Sequence, residues 1–138
     1  MEWIRECIDN LQKKYLTTNP YELASLLNIK VILFNLHEEI NGYYKYDRRN
    51  KYIVINNNLS QEMQKVVCAH ELGHAILHTR HNTPFMRQNT FFSVDRIEVE
   101  ANYFATHLLL YNQEFENCET KIDILRENSI PYEMERFI

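Results

Sequence analysis

The chain has 138 residues, 45% of them hydrophobic, 12% aromatic and 25% charged. That suffices for a buried core without disulfide or metal staples, and it excludes wholesale disorder and collagen-like or linker-like chains. A net charge of −4 argues against a nucleic-acid binder held by a basic face, and the local cluster Lys45, Arg48, Arg49 and Lys51 reads as a solvated hairpin turn.

In chain order, Ile4, Cys7, Ile8, Leu11 and Tyr15 recur at helical spacing, which predicts an amphipathic helix over residues 2–16. Asn19, Pro20 and Glu22 then read as cap, first helical position and capping-box acid of a short helix ending near Asn28. Three runs rich in aromatic and β-branched residues follow, at 30–34, 43–46 and 52–56. Asn41-Gly42 falls in the first connection and residues 47–50 in the second. Connections this short predict a three-stranded antiparallel meander. Ser60 is a good N-cap for a helix running to Leu77. Residues 79–94 make a loop long enough to be functional, and its Phe85, Met86, Phe91 and Phe92 are expected either to border a cleft or to pack on the core. A helix over 95–110, another near 120–127 and a short one opened by Pro131 complete the chain.

Three cysteines, Cys7, Cys68 and Cys118, have no metal-type spacing and read as reduced thiols. The N-terminus lacks an apolar signal region, and no apolar run approaches membrane-spanning length. The expected location is the cytoplasm, away from membranes.

The chemistry concentrates in His70-Glu71-Leu72-Gly73-His74. Two histidines four apart lie about 40° apart around a helix, so both rings reach one ion, and Glu71 lies about 60° from His74. A chain of this composition would show the motif by chance only about 0.03 times. From Val66 to Leu77 the helix is apolar almost all round and should be buried, where two histidines and a carboxylate are costly unless paired or metal-bound. A catalytic tetrahedral site needs a third protein ligand. A third histidine six residues after His74 is excluded, since Arg80 stands there. Glu98 and Glu100 are the candidates. Glu98 shares a face with Asn102, which can hydrogen-bond a ligand histidine, whereas Glu100 points about 200° away, so Glu98 is favoured. Ala101 and Ala105 permit close helix approach. Gly73 implies close backbone packing, with the sheet as the expected neighbour. His78 reads as support for a ligand or as helix-end packing, His81 and His37 as surface residues, and His107 as facing away from Glu98. Tyr43, Tyr44 and Tyr46 are candidates for stabilising an oxyanion or, more simply, strand residues.

The stretch from His70 to His78, followed by Glu98, Ala101, Asn102, Phe104, Ala105, Leu108 and Leu109, resembles the ImmA/IrrE metallopeptidases. The resemblance covers about residues 19–110 and departs from the family at Tyr111, where many members have proline. It implies an α+β, zincin-like core: a small three-stranded antiparallel sheet packed against the HExxH helix and a second ligand-bearing helix. The chain is then a single metallopeptidase domain, 1–138, with helical extensions at both ends and of the ImmA type. It also implies a gluzincin-like zinc endopeptidase with one Zn2+ per chain, held by His70, His74 and Glu98, with Glu71 as catalytic base. The implied partner is a helix-turn-helix repressor of a phage or mobile element, cleaved so that the element is derepressed, with no direct contact to nucleic acid. The substrate would lie extended along a sheet edge, with residues 52–56 as the expected strand. The alternative is an antirepressor that sequesters its partner without cutting it.

Overall fold

A computed structural model describes residues 1–86, 95–112 and 120–138. Helix α1 (Glu2–Tyr15) buries Ile4 and Ile8 and ends where Leu16 turns left-handed. Helix α2 (Pro20–Leu26) starts as its sequence dictates: the Asn19 side chain accepts from the Tyr21 and Glu22 amides, with proline at the first helical position. Strands β1 (Ile29–Phe34), β2 (Ile40–Asp47) and β3 (Asn50–Asn56) follow. Helix α3 (Gln61–Leu77) is capped by Ser60, whose hydroxyl accepts from the Met63 amide. A short strand β4 (Thr83–Met86) precedes α4 (Arg96–Leu109), α5 (Lys121–Glu127) and a closing 3-10 helix, Tyr132–Phe137. The expected loop over 79–94 therefore contains a strand. Phe91 and Phe92 lie outside the described residues, as does Cys118. Among the described residues no helix is long and apolar enough to cross a membrane.

The expected antiparallel meander is corrected. The sheet is four-stranded and mixed, in the order β1-β3-β2-β4, with β1 parallel to β3 and the other pairs antiparallel. β2 and β3 form a hairpin whose turn residues, Arg48 and Arg49, both have positive φ (51° and 66°), the primed geometry that matches strand twist. The five residues between β1 and β2 do not make a hairpin. They cross the end of β3, a span of about 10 Å over two strand spacings. Asn56, at the end of β3, holds this crossing: its buried amide donates to the carbonyls of Leu36, His37 and Ile40 at 3.3, 3.2 and 2.9 Å. The same topology corrects the expected substrate edge. Residues 52–56 belong to β3, an interior strand, and the sheet's edges are β1 and β4. Gly42 is also not a turn residue. It sits in β2, where an added Cβ would lie 2.6 Å from the Val54 carbonyl oxygen and 2.8 Å from a Val67 methyl on α3.

Helix α3 lies against the sheet on one side and α4 on another. Every residue from Val66 to Ala75 is buried, which matches its nearly uniform apolar surface. Gly73 faces α4 and not the sheet: a Cβ there would lie 3.1 Å from Phe104 Cδ1 and 3.3 Å from both Cα and O of Ala101. This close crossing brings the polar residues of the two helices within hydrogen-bond reach.

Candidate metal centre

His70 and His74 stand one helical turn apart on α3, and Glu98 stands in the first turn of α4. All three are buried. Their ligand atoms converge: His70 Nε2 and His74 Nε2 are 3.1 Å apart, and each lies 3.1 Å from an oxygen of Glu98. A tetrahedral ion with bonds of about 2.0–2.1 Å holds its ligand atoms about 3.3 Å from one another. Three donors at this spacing therefore fit around one such ion. The donor chemistry points the same way. Two imidazole nitrogens facing each other so closely cannot both carry protons, so a lone pair is turned toward the shared space and the carboxylate. The cluster is consistent with a metal site formed by His70, His74 and Glu98.

The supporting layer is also drawn from α3 and α4. His70 Nδ1 lies 2.8 Å from Asn102 Oδ1, the contact expected from the shared face of Glu98 and Asn102. His74 Nδ1 lies 3.0 Å from His78 Nδ1, and His78 Nε2 lies 2.8 Å from Glu100 Oε1. Glu100 thus points away from the convergent atoms, as its position on the helix implies, but it is not idle. Sequence reasoning passed over this role. The available signal was a remainder: three histidines four apart on α3 and two glutamates two apart on α4 leave one of each outside the three-donor cluster.

Glu71 is fully buried, and neither carboxylate oxygen has a hydrogen-bond partner among the described residues. Burial, and then the charge of Glu98, push its carboxyl well above the usual carboxylate range. A carboxylate raised in this way holds a proton more firmly once it has taken it. Burial would raise Glu98 too, but the His70 and His74 rings packed against it outweigh that and hold its carboxyl below its ordinary value. Burial lowers His74 and His78, against the opposing pull of Glu98 and Glu100. Both rings are therefore kept neutral, the form in which an imidazole donates a lone pair.

The other sequence candidates are accounted for elsewhere. His107 bonds the Phe137 carbonyl at 2.7 Å and ties α4 to the C-terminal turn. His81 and His37 are exposed. The buried Tyr44 hydroxyl donates to the Thr79 carbonyl at 2.5 Å, so it is committed to holding the end of α3 against β2.

Residues 24–137 match the peptidase M78 family, described as the IrrE N-terminal-like domain. The chain is 57% identical over 135 residues to immunity region protein 2 of Bacillus phage phi105, covering 95% of this chain and 85% of that protein. It is 31% identical over 107 residues to metallopeptidase ImmA of Bacillus subtilis (strain 168), covering 78% of this chain and 63% of that one. No solved structure gives a significant match. The buried histidine pair one turn apart, the carboxylate brought to it by a second helix and the match over most of the chain lead to one conclusion: the chain belongs to the ImmA/IrrE family of metallopeptidases.

Proposed function

We propose that the protein is a single-domain zinc endopeptidase that cleaves a helix-turn-helix repressor in the cytoplasm and so derepresses a phage or mobile element. The observation that carries the catalytic part is the convergence of His70 Nε2, His74 Nε2 and the Glu98 carboxylate, with the buried Glu71 carboxylate next to His70 in the chain. The repressor as substrate is supported by similarity to a phage immunity-region protein and to a metallopeptidase named ImmA.

In this reading His70, His74 and Glu98 hold one Zn2+, a gluzincin-like ligand set. The bound ion supplies a Lewis acid that lowers the pKa of water and polarises the scissile carbonyl. Glu71 accepts the proton of the attacking water and passes it to the leaving amine. Its lack of a competing hydrogen bond leaves both oxygens available for that transfer. Asn102 orients His70, and the close packing of Gly73 on Ala101 sets the distance between the two ligand-bearing helices.

The test is Glu71→Gln. The variant should keep about one zinc per chain, measured by elemental analysis, and lose hydrolysis of the repressor by about 10²–10⁴-fold. It should co-purify with uncut repressor, because docking does not need the base. A Glu71→Gln protein that still derepresses fully in the host would overturn proteolysis in favour of sequestration.

A further inference from the structure

We infer that His78 and Glu100 are positioning residues for His74, fixing through one directed hydrogen-bond chain the tautomer that turns its Nε2 lone pair toward the ion. The inference rests on His74 being a metal ligand, and it assigns a function to two residues outside the ligand set.

The direction of the chain follows from its two ends. His74 Nε2 faces His70 Nε2 and Glu98 Oε1, each at 3.1 Å. A ligand nitrogen carries no proton, so the single proton of the neutral ring sits on Nδ1. That atom lies 3.0 Å from His78 Nδ1. Two ring nitrogens at this distance share one proton, and His74 supplies it, so His78 Nδ1 must accept. The proton of His78 is then on Nε2, 2.8 Å from Glu100 Oε1, which accepts. With a carboxylate at the far end, no alternative placement satisfies all three contacts. Were His78 protonated on Nδ1, two N–H groups would face each other and His74 would have to surrender its proton or turn.

The two ligand rings are thus held by different means. Asn102 meets His70 with an amide oxygen at 2.8 Å. His74 is met by a second imidazole that has a negative charge behind it. Outer hydrogen-bond partners of this kind orient a ligand ring and raise its basicity. His78 sits at the C-cap of α3, with φ −132° and ψ 50°, where the helix no longer dictates side-chain direction. The contact with Glu100 aims its ring. Glu98, Glu100 and Asn102 all belong to α4, so one helix delivers a ligand and the means of orienting both ligands of the other.

The experiment is a zinc competition titration on the full chain. His78→Ala should weaken Zn2+ binding by about 10–100-fold. Glu100→Ala should weaken it in the same direction, and Glu100→Gln less, because the amide oxygen still accepts from His78. In the His78→Ala background, Glu100→Ala should add no further loss, since Glu100 acts through His78. Independent losses that multiply would overturn the chain, as would wild-type affinity in His78→Ala. Nitrogen NMR of the zinc-loaded wild type gives a readout that needs no variant: His78 must carry its proton on Nε2, and a proton on Nδ1 overturns the proposal. Wild type that binds no zinc, or Glu98→Ala that binds normally, would remove the metal reading and this inference with it. Normal wild-type binding with an unaffected His78→Ala would remove this inference alone.

Discussion

Tyr44 is 1% exposed, and its hydroxyl donates to the Thr79 carbonyl just past the end of α3. Burial, followed by the neighbouring Tyr46, pushes its phenol from 10.0 up to about 12. The sign of the consequence is fixed by linkage. The folded chain keeps the proton that the unfolded chain gives up from about pH 10, so the stabilisation is complete below that pH and is lost as pH rises toward 12. Denaturant midpoints should therefore fall between about pH 10 and pH 12 in wild type, and fall less steeply in Tyr44→Phe. Equal slopes for the two proteins would show that Tyr44 ionises freely in the fold. At the same scale, His70, His74, Glu98 and Asn102 were legible in the sequence because helical periodicity places each side chain on a known side of its own helix. It did not expose the contact of Glu100 with His78, because that depends on how far α4 is displaced along α3, which periodicity within one helix does not contain.

Gly73 and Ala101 show how two elements were legible singly and less so together. The sequence announced close packing at both positions, but the sheet was the wrong partner for Gly73. A missing side chain reports that something comes near without reporting what. Gly73→Ala tests the crossing. Helix propensity would favour alanine by about 1 kcal/mol. Against this, the new Cβ would lie 3.3 Å from two backbone atoms of Ala101 and 3.1 Å from Phe104 Cδ1. Backbone cannot step aside, so α4 must move. A net destabilisation of about 1–2 kcal/mol is expected, with weaker zinc binding as Glu98 withdraws from the histidines. Thermal melts and zinc titration check both parts; a more stable variant with unchanged zinc affinity would refute the account. The sheet teaches a similar lesson. Helix starts were readable from Asn19, Pro20 and Ser60 because a cap acts within three residues. Strand neighbours were not, since a short connection ordinarily joins adjacent strands. Five residues also suffice to cross one, and the Asn56 amide that stabilises the crossing looks in sequence like a strand breaker.

Over the whole molecule, the family match begins at residue 24, yet Ile4 and Ile8 of α1 belong to the same buried cluster as Leu72, Phe104 and Leu108. The N-terminal helix is thus part of the core that supports α3 and α4. β1 occupies one edge of the sheet, and its last residues, Ile32, Leu33 and Phe34, are 41%, 52% and 61% exposed. Its partner β3 arrives in the chain only after β2 has been made. That order has a kinetic consequence. The β2–β3 hairpin closes locally, whereas β1 must wait for the finished hairpin before it gains any strand to pair with. Stopped-flow measurements should show Val54→Ala in β3 slowing refolding, while Val31→Ala in β1 mainly speeds unfolding. The reverse pattern would mean that β1 is recruited early. Until it docks, a run of four apolar residues, from Val31 to Phe34, stands unpaired beside a growing sheet. The nascent chain is then most exposed to misassociation with its own copies, and fast closure of the two-arginine turn is what shortens that interval.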